Sequence, residues 1–378
     1  MRLRQRAAPL DPLEALLMLS TAPLLIFPTV RPRLTGLALG VLAAVWLVRW
    51  AVTGEPWPVT PFSGALLLFA VMVPVGIWAS AVPQFTIPKA TGLVLGLATF
   101  RAVGLIVRDR HTMLGALLLL CLLGLGITVI GILASSGRSK VDLLSAFQSR
   151  IPRVIRTLPG LRTSGVSRNQ LAGVLVLYLP LAAALLRCRS CGSAKGWRRW
   201  LLLTARMAFL SFIGAVLILT QSRSGWIGGA AGLVALGTLA GLTARARWRR
   251  ILGVALPVVL VVTVIGAVSV AGPERVGEML YGKGNEAAVE EVVGSLSIAG
   301  RVEIWSRALY AIQDFPFTGC GLGTFREVVW ILYPLFTISP DRDIAHAHNI
   351  FLQTAMDLGL PGLIGYLALV MVAVAVGW

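Results

Sequence analysis

Long apolar runs occupy most of this sequence and constrain its fold more than any other feature. There are about ten of them, each of about 18 to 22 residues, the length that an α-helix needs to cross the hydrocarbon core of a membrane. Open strands or loops in lipid would leave backbone groups unpaired, and the runs are too long and continuous for barrel strands. The sequence therefore predicts an all-α fold, a polytopic bundle of about ten transmembrane helices.

The composition supports this interpretation. Hydrophobic residues make up 57% of the 378 residues and charged residues only 13%, about half the charged fraction of soluble domains. So few charges cannot cover a soluble surface of this size, which excludes an ordinary soluble enzyme, a disordered chain and a disulfide scaffold. The predicted spans are 13–30, 34–50, 62–79, 88–107, 113–133, 169–186, 200–220, 226–242, 251–271 and 360–378.

The orientation follows from lysine and arginine in the short loops, because such loops stay in the cytoplasm. With alternating spans, the basic loops 108–110, 187–199 and 245–250 fall on the same side as the basic N-terminus. Lys89, at an outer span end, does not follow the pattern. No small-residue cleavage site follows Val30, so the first span is predicted to be retained. The net charge of +18 thus reflects topology, and no nucleic-acid partner is predicted.

This topology places two long segments on the outer side of the membrane. The second segment, residues 272–349, holds ten of the sixteen acidic residues and is predicted to be a small, partly helical cap. The first segment, residues 134–168, is basic and is predicted to lie on anionic lipid headgroups as an interfacial helix. The predicted regions are 1–133 (N-terminal transmembrane helices), 134–168 (basic interfacial loop), 169–271 (central transmembrane helices), 272–349 (large outer loop) and 350–378 (C-terminal transmembrane helix).

Cysteine and histidine positions argue against a disulfide or metal site. Cys188 and Cys191 form a lone C-x-x-C in a cytoplasmic loop, and Cys320 stands alone on the outer side. Structural zinc sites take four ligands, and no second ligand cluster is visible. His346 and His348, two residues apart, are poorly spaced for one helix face. The sequence therefore predicts no metal and no cofactor.

The turn TQSRSGWIG places Arg223 between two spans at the predicted outer boundary. An arginine at this depth is costly unless its side chain reaches the interface or meets an anion. Anion binding and a simple boundary arginine both remain open.

The segment GRVEIWSRALYAIQDFPFTGCGLGTF has apolar residues at helical spacing and predicts an amphipathic helix from near Arg301 to before Pro316. An arginine in the first turn, beside free backbone N–H groups, suits a diphosphate. A solvated surface arginine is the alternative. The following glycines, Gly319, Gly321 and Gly323, predict a tight turn, because they do not follow a strand as in a nucleotide loop.

The segment HAHNIFLQ brings His346, His348 and Asn349 to the point where the chain re-enters the membrane. A histidine there can take a proton from a hydroxyl near neutral pH. The same residues also fit a hydrogen-bonded helix start, so both interpretations stay open.

In this order and topology the features resemble the O-antigen ligase and O-antigen polymerase superfamily of bacterial inner-membrane proteins. The resemblance covers residues 167–369. Its motifs are Asn-x-x-Ala in SRNQLAGVLVLYLPLA, the Ser-Arg turn, Gly-Arg-x-x-x-Trp with Asp-x-Pro-x-x-Gly-x-Gly, and His-Asn-x-x-Leu-Gln with Gly-Leu-x-Gly. Before residue 160 only the span pattern matches, and such proteins commonly have one or two further spans after the tenth.

The resemblance implies a metal-independent, inverting glycosyltransferase at the periplasmic face of the inner membrane. Its donor would be a glycan on undecaprenyl diphosphate and its acceptor a hydroxyl of a glycolipid or glycan, such as a lipid A core sugar. Arg223 and Arg301 correspond to arginines that hold the diphosphate, and His348, beside Asn349, to the base.

Other assignments rest on position and charge alone. His346 and Asn349 are predicted to contact substrate, and Arg156 and Arg162 to contact lipid or diphosphate. His346, Asp341 and Asp343 remain alternative bases. Polymerase chemistry on the same donor stays open, as does a non-catalytic assembly protein. A solute (bicarbonate-like) transporter is less favoured, because apart from Arg101 the span centres are almost free of charge.

Overall fold

The computed structural model describes residues 10–55, 57–134, 168–187, 196–220, 222–271, 298–338 and 343–377. Across these ranges every regular element is an α-helix, and no strand occurs. The predicted all-α fold is confirmed. The helices are α1 Leu10–Ile26, α2 Pro32–Thr53, α3 Ser63–Ala79, α4 Pro83–Ile106, α5 Arg110–Ala134, α6 Arg168–Arg187, α7 Trp197–Leu219, α8 Arg223–Leu242, α9 Arg247–Ala271, α10 Ile298–Asp314, α11 Phe325–Leu332 and α12 Ile350–Gly377.

Each of the ten predicted apolar runs falls on one of these helices. Seven described helices are long and apolar enough to cross a membrane: α2, α4, α5, α6, α7, α8 and α12. Helix α3 and part of α9 are shorter apolar helices. The chain is therefore an integral membrane protein, while the count of ten spans and the outer position of the long loops remain predictions.

The chain divides into two compact units. The first unit is Met1–Met113 with Lys283–Trp378, and the second is Leu114–Gly282. The first and last parts of the sequence thus fold together.

In the first unit, α3 and α12 pack antiparallel at close range because both present glycines. A Cβ at Gly76 would lie 3.2 Å from the Asp357 carbonyl oxygen, and one at Gly365 would lie 3.2 Å from the Phe69 nitrogen. Helices α1, α2 and α4 pack together, with Leu25 among the apolar residues buried between them. Helices α10 and α11 bury an apolar cluster against the start of α12.

Charged side chains inside the first unit are paired. Arg101, almost fully buried, donates from Nε to a Glu14 carboxylate oxygen at 2.5 Å, and its guanidinium lies near the Trp46 and Trp57 rings. Arg49 meets Asp11 at 2.7 Å. These contacts tie α1 to α2 and α4. The charges of this cluster therefore neutralise one another between the helices.

In the second unit, α6 packs against α7 and α8, and α8 packs against α9. Leu175 and Ile213 are fully buried in its apolar core. A Cβ at Gly225 would lie 2.7 Å from the Ala172 Cβ, so this glycine sets the close approach of α6 and α8.

Two of the helix starts that differ from the predicted ones bear on the candidate site. Helix α10 begins at Ile298, so Arg301 remains in its first turn. Helix α12 begins at Ile350, ten residues before the predicted span, and has a non-helical kink at Gly359. The apolar span 360–378 therefore covers only the second part of α12 and leaves out its first ten residues, which carry Gln353 and Asp357. The predicted loop 134–168, residues 272–297, and Cys188 and Cys191 lie outside the described residues, apart from the residues at the edges of that loop.

Candidate functional site

The candidate site lies at the end of the first unit where α3 ends and where α4 and α12 begin. It is built from two connecting segments. One is the glycine turn, residues 319–323, between α10 and α11. The other is the histidine loop, residues 343–349, which leads into α12.

Backbone hydrogen bonds join residues 316–320, which lead into the glycine turn, to the kink in α12. The kink leaves helix backbone groups without partners inside the helix. Cys320 N–H donates to the Met356 carbonyl at 2.6 Å, and Leu360 N–H donates to the Pro316 carbonyl at 2.7 Å. The Asp-x-Pro-x-x-Gly-x-Gly motif thus supplies hydrogen-bond partners for backbone groups at and just before the Gly-Leu-x-Gly motif, although the two motifs are far apart in the chain.

The glycines of the turn are required by geometry, as the tight-turn prediction expected. Gly319 and Gly321 have φ values of +67° and +99°, which favour glycine. A Cβ at Gly319 would lie 2.5 Å from the Met356 carbonyl oxygen, and one at Gly321 would lie 2.6 Å from the Ser80 Cβ. The turn therefore presses directly onto α12 and onto the residue that follows α3.

The histidine loop holds His348 in an unusual backbone conformation, with φ of +52°. This region is uncommon for residues other than glycine, and such strain is often found at functional sites. The next residue, Asn349, accepts hydrogen bonds at Oδ1 from Phe351 N–H at 3.0 Å and Leu352 N–H at 3.3 Å. Asn349 therefore caps α12, as the helix-start interpretation expected, and its substrate contact stays a proposal.

The two histidines lie against each other. The His346 and His348 ring centroids are 4.3 Å apart, with the planes at 90°. The His348 Nε2 atom is buried and has no hydrogen-bond partner among the described residues. Burial, followed by His346 and the Arg301 guanidinium, lowers the pKa of His348 from 6.5 to about 4. His348 is therefore neutral at pH 7 and has a nitrogen available to accept a proton.

Arg301 lies in the first turn of α10, as predicted, and its positive charge acts on His348. One turn further along α10, the Trp305 indole donates from Nε1 to the Ala347 carbonyl at 3.0 Å. Helix α10 thus ties the first-turn arginine to the histidine loop.

Two cations that the sequence did not single out as site residues also belong to this site. Lys89, on the first turns of α4, passes over Gly323, where a Cβ would lie 3.2 Å from the Lys89 Cγ. Arg326, on α11, places its guanidinium 4.9 Å from the Phe85 ring centroid and 3.3 Å from Asp343. Burial lowers the pKa of His346, and the charges of Lys89 and Arg326 lower it further. In the sequence, Lys89 was notable only as a basic residue at the outer end of a predicted span.

The acids of the site have structural partners, and the thiol of the site is buried. Asp357, on α12, accepts hydrogen bonds from Gly323 N–H and from Gln353 Nε2. Asp343 pairs with Arg326. Burial, with the nearby Asp357 and Asp314, raises the pKa of Cys320 to about 12, so this thiol stays protonated and is a poor nucleophile.

Arg223 belongs to the second unit and is the first residue of α8. Its side chain is exposed. The preceding residue, Ser222, caps the helix by accepting from Gly225 N–H at 3.2 Å. An exposed arginine at a capped helix start is compatible with an anion and with a boundary position, so both interpretations remain.

Three predicted site residues, Arg156, Arg162 and Asp341, lie outside the described residues. Where side chains are described, no three His, Cys, Asp or Glu residues converge on a point that could hold a metal ion. Metal independence itself stays a prediction.

Comparison with known families tests the family resemblance that the motifs suggested. Residues 207–367 match the family described as O-antigen ligase. This part of the chain is similar to the O-antigen ligase family. The resemblance to the O-antigen ligase and polymerase superfamily is thus confirmed over this segment. No curated protein matches the chain significantly.

The matched segment includes Arg223, Arg301, the glycine turn and His348, while Lys89 lies outside it. Members of the family are glycosyltransferase-like enzymes that act on lipid-linked glycans and glycolipids. The site in the first unit therefore combines family residues with residues from the N-terminal helices.

Proposed function

We propose that this protein transfers a glycan from undecaprenyl diphosphate to a hydroxyl acceptor at the periplasmic face of the bacterial inner membrane. The observation that carries the proposal is a neutral histidine placed beside positively charged side chains. The His348 Nε2 has no hydrogen-bond partner within the described part of the chain, and Arg301 acts electrostatically on His348 from the start of α10.

The cations account for departure of the leaving group. Negative charge builds up on the diphosphate as the bond to the anomeric carbon breaks. Arg301, supported by Lys89 and Arg326, would stabilise that charge in place of a metal ion. The family resemblance assigns Arg223, in the second unit, to diphosphate binding.

His348 accounts for activation of the acceptor. Its neutral imidazole would remove the proton from the acceptor hydroxyl as the oxygen attacks the anomeric carbon. Attack from the face opposite the diphosphate inverts the anomeric configuration. The hydroxyl oxygen gains the glycosyl group, the proton passes to His348, and undecaprenyl diphosphate leaves with the bonding electron pair.

The pH dependence follows from the pKa of His348. A base must be neutral, so activity is present above its pKa and is lost as the pH falls through that value. Because the pKa of His348 is lowered to about 4, kcat/KM is expected to stay level from pH 7 to about pH 5 and to halve near pH 4. Bound diphosphate raises the pKa of a nearby histidine. As the pH is lowered, kcat should therefore begin to decline at a higher pH than kcat/KM does. An acidic midpoint of kcat/KM near 6.5 would contradict this assignment.

Lys89 is expected to contribute to donor binding. In Lys89→Gln, the donor KM should rise about three- to tenfold, the effect of losing about 1 kcal/mol from one exposed charge contact. Donor titrations at constant acceptor would measure this effect. Arg33→Gln, which removes an exposed cation from α2, is the matched control. An unchanged donor KM in Lys89→Gln would remove this residue from the site.

The acceptor separates ligase from polymerase chemistry. The purified protein in liposomes would be given an undecaprenyl-diphosphate glycan with EDTA present. Separate reactions would contain a lipid A core glycolipid, a second copy of the donor glycan, or a serine and threonine peptide. Release of undecaprenyl diphosphate that depends on the glycolipid supports a ligase, and release that depends on the second glycan indicates a polymerase. No release with any acceptor would contradict transferase function, and solute flux would then be measured.

A further inference from the structure

The peptide group between the two histidines is held on both sides. Ala347 is fully buried. Its N–H donates to the Gln353 Oε1 at 2.7 Å, and its carbonyl accepts from the Trp305 Nε1 at 3.0 Å. Both partners are side chains of helices, so the histidine loop is fixed between α10 and α12.

Gln353 is itself held in place by the next turn of α12. Its Nε2 donates to the Asp357 Oδ1 at 2.8 Å. The same carboxylate oxygen accepts from Gly323 N–H at 3.1 Å. Since Gln353 and Asp357 are four residues apart, they lie on one face of the helix. One chain of hydrogen bonds thus runs from the glycine turn to the histidine loop and on to α10.

This chain explains how His348 keeps its left-handed backbone. A non-glycine residue with φ of +52° is held there only when its surroundings restrain it. The restraints lie on either side of His348: the Ala347 peptide before it, and the Asn349 cap after it.

We propose that Trp305, Gln353 and Asp357 are positioning residues that hold the His348 imidazole in line with Arg301. The proposal rests on the function proposed above. None of the three needs to touch the reacting atoms. Asp357 orients Gln353, and Gln353 and Trp305 together orient the Ala347 peptide.

Turnover of matched variants tests the proposal. Gln353→Leu, which keeps the approximate size of the side chain, should lower kcat about 10- to 100-fold with the donor KM changed by less than about threefold, because misplacement of a catalytic group affects the chemical step. Trp305→Phe, which loses only the indole N–H, should lower kcat in the same way. Asp357→Asn should retain most of the activity, because its amide oxygen can still accept both hydrogen bonds, whereas Asp357→Leu should behave like Gln353→Leu.

Amide hydrogen exchange provides a readout that does not depend on activity. Peptides covering residues 343–353 should exchange faster in Gln353→Leu than in wild type, and peptides from α8 should be unchanged. Thr354→Val is the matched control, because among the described residues the Thr354 hydroxyl bonds only within α12, to the Ile350 carbonyl. It should leave both turnover and exchange near wild-type values.

Three results would overturn the proposal. These are full kcat in Gln353→Leu, unchanged exchange of the histidine loop in that variant, or Asp357→Asn as inactive as Asp357→Leu. The last result would mean that the carboxylate charge itself is required. If wild type releases no undecaprenyl diphosphate, the proposed function fails, while the exchange comparison still decides whether the hydrogen-bond chain restrains the loop.

Discussion

Replacing His348 with alanine is expected to lower kcat for glycan transfer about 100- to 10,000-fold, the usual contribution of a general base. The donor KM should change little, because the proposal assigns diphosphate binding to the cations. Among the described residues the buried His348 Nε2 has no hydrogen-bond partner, and a pKa lowered to about 4 keeps the imidazole neutral at pH 7, as the proposed base requires. Initial rates of undecaprenyl diphosphate release at saturating acceptor would measure the effect.

The matched control is His346→Gln. The two rings are in contact, with centroids 4.3 Å apart, so both changes disturb the same loop. If His348 is the base, His346→Gln should lower kcat less than about tenfold, because this change removes the contact between the two rings but leaves the proton-accepting group in place. The opposite ranking would assign the base to His346. Near wild-type turnover in both variants would remove the histidine loop from the mechanism.

Replacing Arg301 with alanine is expected to lower kcat about 100- to 1,000-fold, the cost of removing one preorganised group that stabilises charge in a transition state. The same change has a second consequence. Because the Arg301 charge helps to lower the pKa of His348, the acidic midpoint of any residual kcat/KM should move to higher pH. Full pH profiles of wild type and Arg301→Ala would test both effects together.

Arg307 provides the control on the same helix. It lies within 3.8 Å of Glu303 and donates to the Pro334 carbonyl, so it has a structural role on α10. Arg307→Ala should therefore cost less than about tenfold in kcat and leave the pH midpoint in place. Arg301→Ala with wild-type turnover, or with an unshifted midpoint, would show that Arg301 does not act on the reacting groups.

The helical fold could be predicted from sequence because a membrane imposes one length on every crossing segment. Each of the ten apolar runs is helical. The start of α12 could not be predicted in the same way. Its first turns carry the polar residues Gln353 and Asp357 and precede the kink at Gly359, so apolarity alone placed the span start at residue 360. The Asn349 cap, visible in the sequence, marks the true beginning of the helix.

The candidate site could be predicted only where a local motif carries it. Arg301 and His348 lie in short motifs, and the structure brings both into the first unit. Lys89 and Phe85 lie more than two hundred residues earlier in the sequence. They reach Gly323 and Arg326 only because α4 packs beside α3, and α3 beside α12. Such contacts depend on the tertiary fold and leave no periodic pattern in the chain.

Gln353 was visible as the end of a motif, but its task was not. A glutamine near the start of a membrane helix could face substrate, lipid or the protein. The hydrogen bonds to Ala347 and Asp357 decide between these possibilities. Asn349 was assigned to substrate by its position next to His348, and its Oδ1 is used in capping.

The account's central claim is that a histidine and a set of cations transfer a glycan from a polyprenyl diphosphate without a metal ion. The most direct measurement is the anomeric configuration of the product, determined by NMR on a reconstituted reaction that contains EDTA and a donor of defined configuration. We predict one inverted linkage formed for each undecaprenyl diphosphate released. A retained configuration, or a reaction that EDTA abolishes and a divalent cation restores, would contradict the account.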